Sequence, residues 1–175
     1  KWLSAPFGAG LLYVRRDRIK DLLPIFPNEK MDSDDIRKFE AQGTRSFPTE
    51  MAIGTAADFH AGIGAARKEA RLRYLKNYWA EQARQIPGVR LHTSLRDPYS
   101  CALALFSIDG VKPGDVAAKL HEKFKVHVVS IEWADRISGV RVTPHVYTRL
   151  ANLDRLLEGI RYCAKELTTA KADKG

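Results

Sequence analysis

Between residues 49 and 86 the apolar positions Ala52, Ala56, Phe59, Ile63, Ala66, Ala70, Tyr74, Leu75 and Tyr78 recur every three or four residues. That spacing lines up side chains on one face of an α-helix. Gly62 and Gly64 interrupt the run and predict two helices, and Pro87-Gly88 ends it. Beyond this break the period changes. Short apolar runs at 89–92, 102–108, 126–130 and 140–143 predict strands, 110–114 a turn, and the amphipathic stretches 115–124 and 152–167 helices. The alternation implies a compact α/β or α+β unit. Upstream of residue 49 the pattern is weaker. Residues 11–14 are strand-like, 16–26 read as a short helix or turn punctuated by Pro24 and Pro27, and 28–39 read as a polar loop. The domain boundary is placed at Pro87, with part of a larger domain over 1–87, a small α/β domain over 88–167, and a polar, disordered tail over 168–175.

The 175 residues carry a net charge of +8, which raises the question of a nucleic-acid or membrane partner. The cations are scattered, however: Arg67, Lys68, Arg71, Arg73 and Lys76 alternate with Glu69, Glu81 and apolar residues, as on a solvated helix face. No zinc-finger spacing or RNA-binding aromatic signature accompanies them, so no nucleic-acid partner is expected. No apolar stretch is long enough to span a membrane. Cys101 and Cys163 lie far apart with no Cys-His cluster, so both read as small core residues and no metal site is expected. This cysteine usage favours a reducing compartment, hence the cytoplasm.

Three segments carry candidate chemistry. The first is Lys1-Trp2-Leu3-Ser4-Ala5-Pro6-Phe7-Gly8-Ala9-Gly10. A lysine amine attacks an aldehyde only when neutral, and apolar neighbours such as Trp2, Leu3, Pro6 and Phe7 are the means of lowering its pKa. Taken alone, the same residues equally describe a solvated lysine beside a packed indole.

The second is Glu40-Ala41-Gln42-Gly43-Thr44-Arg45-Ser46-Phe47-Pro48, just ahead of the long helical run. Gly43 and Thr44 there can offer backbone N–H groups and a hydroxyl to an anion. A helix cap is the other use of such residues.

The third is Gly139-Val140-Arg141-Val142-Thr143-Pro144-His145-Val146-Tyr147-Thr148. In a strand, Arg141 and Thr143 share one face and Val140 and Val142 the other. Arg141 is then placed either for a structural salt bridge or for a bidentate grip on a carboxylate.

In order and separation these segments resemble the class V aminotransferase-like enzymes, pyridoxal-phosphate proteins of fold type I, over nearly the whole chain up to Leu167. Gly43-Thr44-Arg45 is similar to the variant found in isopenicillin N epimerase-like members. The resemblance implies that the chain is the C-terminal half of such an enzyme, with the end of the large cofactor-binding domain, its long linking helix and a small α/β domain. It implies Lys1 as the Schiff-base lysine, Gly43 and Thr44 at the cofactor phosphate of the other subunit of a homodimer with shared active sites, and Arg141 on the α-carboxylate of an amino-acid substrate. The family often has Tyr-Asn where this chain has Tyr147-Thr148, so the turn after the arginine differs. Residues 128–135 contain no cysteine, which disfavours a persulfide-forming desulfurase, since sulfur transfer needs a thiolate there. Epimerase, aminotransferase and lyase chemistry remain open, with a catalytically incomplete dimerisation or binding module as the alternative.

Overall fold

A computed structural model describes residues 2–133 and 136–172, with side chains through Leu167. The chain divides into two compact units, residues 1–64 and 65–175. This division falls earlier than the Pro87 break because the second long helix buries its apolar stripe, Leu72, Leu75, Trp79, Ala80 and Ala83, in the core of the second unit.

The first unit contains 3₁₀ turns at Arg16–Arg18 and Ile36–Glu40 and one long helix, α1, at Phe47–Ile63. The Asp35 side chain accepts the Arg37 N–H at 2.9 Å and so starts the second turn. Between these turns a reciprocal clasp forms: Lys38 Nζ donates to the Met31 carbonyl at 3.1 Å, and Asn28 Nδ2 donates to the Lys38 carbonyl at 3.0 Å. Helix α1 ends at Gly64, whose φ of 90° suits glycine and whose N–H reaches the His60 carbonyl. Contrary to the sequence expectation, residues 11–14 form no strand. A strand needs a paired neighbour, and this unit has none among the described residues.

In the second unit, α2 (Ala65–Ala83) leads into β1 (Val89–Leu91), β2 (Ala104–Ile108), α3 (Pro113–Phe124), β3 (Val129–Trp133), β4 (Ile137–Val142) and α4 (Leu150–Ala172). The strands form one antiparallel sheet in the order β1-β2-β4-β3, with Leu105 opposite Arg141 and Val129 also opposite Arg141. Ala104, Phe106, Ile108, Val140 and Val142 are buried in one core with the apolar stripes of α2, α3 and α4. Trp79 meets Phe106 edge to face, with centroids 5.9 Å apart. Fully burying a side chain of the Leu or Phe class contributes about 1.5–3 kcal/mol, so this core dominates the unit's stability.

Most element boundaries shift by one to three residues from the sequence reading, β4 for example beginning at Ile137 rather than 140, and two shifts have a visible reason or consequence. The third strand begins at Val129 rather than 126, because the chain leaves α3 through a left-handed Lys125 whose N–H, like that of Val126, bonds back to the helix. Helix α4 continues through Ala172, so residues 168–172 are helical where a disordered tail was expected.

Candidate active site

Lys1 lies outside the described residues, but its neighbour Trp2 is placed. The indole lies against the His60 ring of α1, with centroids 6.5 Å apart, and His60 meets Phe59 edge-on at 5.6 Å. His60 is buried, so this aromatic group anchors the first segment beside the C-terminal half of α1. Sequence reading missed His60, although it occupies the apolar stripe position four residues after Ala56.

Gly43 and Thr44 sit at the opposite end of the same helix. Ser46, not Thr44, is the residue at the helix start, and its hydroxyl bonds the Thr49 hydroxyl at 2.8 Å. Thr44 is exposed, and among the described residues its hydroxyl has no hydrogen-bond partner. A Cβ at Gly43 would meet nothing within 4 Å, so the backbone there stands open to an approaching group. Pro48 removes one N–H donor from the first turn, which leaves the Thr44 hydroxyl and the backbone of residues 43–47 as the donor set. Arg45 is engaged otherwise, 3.1 Å from Glu50. From Phe47 to His60 is thirteen residues of helix, or about 20 Å at 1.5 Å per residue. Within one chain, Trp2 and Thr44 therefore flank opposite ends of α1.

Arg141 belongs to the second unit. It lies on β4, an interior strand paired on both sides, on the face opposite the buried Val140 and Val142. Its guanidinium is exposed and has no ion-pair partner among the described residues. The structural salt bridge is thus absent among those residues, and a rigid strand presents a free fork of five donors.

The helix-face reading of the α2 cations needs correction. Lys76 is fully buried between Leu72 and Trp79 on the apolar stripe, where it bonds Ser100 Oγ and the Ser94 carbonyl. Burial pushes its pKa down. Arg73 pairs with Asp97 at 2.6 Å and Glu69 at 2.6 Å. Together they fasten the loop after β1 to α2. Their positions three and four residues from Leu72, Trp79 and Glu69 were the available signal. Cys163 is a core residue as expected, but Cys101 lies in a bend, is partly exposed, and takes no part in the buried cluster. No group of His, Cys, Asp and Glu among the described residues can hold a metal, and no described helix is long and apolar enough to cross a membrane.

A family model for aminotransferase class V matches residues 1–156. The chain belongs to this family, whose cofactor is pyridoxal phosphate. Isopenicillin N epimerase from Amycolatopsis lactamdurans is 28% identical over 183 residues, an alignment covering 94% of this chain and 45% of the epimerase. The cysteine desulfurase CsdA from Escherichia coli superposes with a TM-score of 0.77 at 21% identity, covering 94% of this chain and 44% of CsdA. A mutant of the lyase C-DES with glycine covalently linked to its PLP cofactor superposes with a TM-score of 0.73 at 20% identity, covering 91% and 43%. The fold is that of type I pyridoxal-phosphate enzymes. The chain spans less than half the length of these relatives.

Tested against that cofactor, the donor set before α1 fits a phosphate: an open backbone at Gly43 and an unengaged hydroxyl on Thr44.

Proposed function

We propose that this chain is the C-terminal half of a pyridoxal-phosphate enzyme acting on an amino acid or related amine, of epimerase, aminotransferase or lyase type, and that it works as a cytoplasmic homodimer. The observation that carries the reading is Arg141, a guanidinium held on an interior strand and left without an ion-pair partner among the described residues. Such a fork matches a carboxylate bidentately.

Pyridoxal phosphate, when bound, supplies an electron sink for negative charge at the carbon that bears the amine. The rest falls to side chains. Lys1 would hold the cofactor, and its amine would move the proton at Cα. Arg141 orients the substrate by its α-carboxylate, which fixes which Cα bond faces the proton carrier. Gly43 and Thr44 hold the phosphate in the site of the other subunit. The length of α1 supports this last assignment, because about 20 Å of helix separates Thr44 from the neighbour of Lys1 within one chain. The absence of cysteine in residues 128–135 argues against persulfide formation on that segment.

The test is borohydride reduction of the longer protein followed by peptide mapping. Label on Lys1 is expected. Label on another lysine overturns the assignment, and failure of the longer protein to take up cofactor favours the non-catalytic module.

A further inference from the structure

The second unit contains a cleft of about 460 Å³ that the reading above does not use. Its walls are the exit of α3, the turn after β4 and the first two turns of α4. Lys125, His127, Arg149 and Arg155 line it, and no carboxylate does. Among the described residues, Lys125, Arg149 and Arg155 have no ion-pair partner. The carboxylate beside Arg155 in sequence, Asp154, is engaged by the Tyr78 hydroxyl at 2.6 Å.

Helix electrostatics account for only one of these cations. Lys125 caps the C-terminal end of α3, where the dipole favours positive charge. Arg149 stands at the N-terminal end of α4, where the dipole opposes it and the first turn contains no acidic residue to compensate, and Arg155 follows one turn on, beside Asp154. Arg149 is fixed in part by its N–H, which bonds Asn152 Oδ1 at 3.2 Å. Polar donors reach the same space from the third wall through Thr143 and Thr148. Two arginines without an ion-pair partner among the described residues, Lys125 with only the nearby Glu122 acting on it, a helix start with no acidic residue in its first turn, and two threonines, of which Thr148 also accepts the His145 N–H, form around one concavity a receptor for concentrated negative charge.

We propose that this cleft binds a small ligand through a phosphate group, at a site separate from both the cofactor phosphate and Arg141. Phosphate suits it better than a single carboxylate because several cations converge from different walls, and a dianion with three terminal oxygens can meet guanidinium forks on more than one side. The inference does not rest on the proposed reaction.

The full-length protein with cofactor bound is treated with phenylglyoxal, which modifies accessible arginines, with and without inorganic phosphate at constant ionic strength set by chloride. Rates are read residue by residue by peptide mass spectrometry. Phosphate is expected to slow modification of Arg149 and Arg155 at least fivefold while leaving Arg16 and Arg96, outside the cleft, unchanged. Equal rates for Arg149 and Arg155 with and without phosphate overturn the proposal, as does slowing of all arginines alike. In a second arm, Arg149→Gln combined with Arg155→Gln is expected to weaken phosphate binding at least tenfold by calorimetry, with Thr44→Ala leaving it unaltered. Loss in Thr44→Ala instead assigns the bound phosphate to the cofactor site and removes the cleft from consideration.

Discussion

Gly159 of α4 faces Leu120 of α3 with no space for a side chain between them: an added Cβ would overlap Leu120 Cδ2 and come within 3.1 Å of Phe124 Cδ2. Leu120 is fully buried and Phe124 nearly so, so neither yields freely. An alanine normally stabilises a helix interior by about 1 kcal/mol relative to glycine. Here overpacking wins, and Gly159→Ala is expected to lower stability by a net 1–2 kcal/mol or so. Urea unfolding with unchanged slope and a lower midpoint is the expected result. An unchanged or higher midpoint would mean that α3 and α4 are less closely packed than described.

Burial raises the Cys163 thiol to about 11. At neutral pH it is protonated and inert, so iodoacetamide is expected to modify the partly exposed Cys101 first. The linkage has a definite sign. Between the ordinary thiol value of 9.0 and about 11, the native state holds a proton that the unfolded chain has released. Stability is therefore full below pH 9 and falls as pH rises towards 11, by up to about 3 kcal/mol. Cys163→Ala should remove that fall, and a fall of the same size in the variant would exclude Cys163 as its source.

Lys76 works in the opposite direction. Its pKa is depressed by burial, so below its ordinary value of 10.5 the unfolded chain binds a proton that the native state binds less tightly, and stability rises with pH through that alkaline window. Lys76→Met is expected to abolish this rise and, by removing the ammonium that donates to the Ser100 oxygen while the Ser100 hydroxyl still donates to the Ser94 carbonyl, to cost about 1 kcal/mol near neutral pH. Comparing pH–stability profiles of the two single variants separates the opposing contributions. A Lys76→Met profile parallel to the parent's would reject the buried-ammonium account.

The helices were legible because their apolar stripes are regular: the division into two falls at Gly64, with Gly62 inside α1, and the second helix stops at Ala83, four residues ahead of the Pro87-Gly88 break. The strand face of Arg141 was legible for the same reason, since alternation alone sets it against Val140 and Val142. What escaped the sequence depends on contacts distant along the chain. Lys76 reads as a surface lysine until Ser94 and Ser100 are brought over it. The strand-like run at 11–14 shows the converse, because propensity without a neighbouring strand does not make a sheet. The cationic cleft combines residues from two separated stretches, 125–127 and 143–156, and neither stretch alone encloses it.

Arg141→Lys tests the carboxylate grip. An ammonium is a point charge and cannot reproduce two parallel N–H···O bonds. Loss of one charge-assisted contact is worth about 1.5–3 kcal/mol, so kcat/KM for α-amino acids should fall roughly ten- to a hundredfold. Amines lacking the carboxylate should be turned over at the parental rate, and cofactor absorbance should be unaltered. Equal losses for both substrate types would reassign Arg141 to a structural role.

Thr44 offers the sharpest test of a shared site. If the partner subunit's Thr44 completes each cofactor site, a Lys1→Ala subunit mixed with a Thr44→Ala subunit produces a heterodimer in which one site carries both defects and the other carries neither. Activity should then return to roughly half the wild-type value per heterodimer, from one intact site of two. If both residues served the same site within one chain, each site would keep one defect and mixing would restore nothing. The two outcomes differ only in which subunit supplies Thr44. Heterodimer formation must be confirmed independently, with wild-type subunits exchanged under the same conditions as the active control. Confirmed heterodimers that remain as poor as the parents would remove Thr44 from the neighbouring subunit's site and leave its exposed hydroxyl, beside the start of α1, with a purely local role.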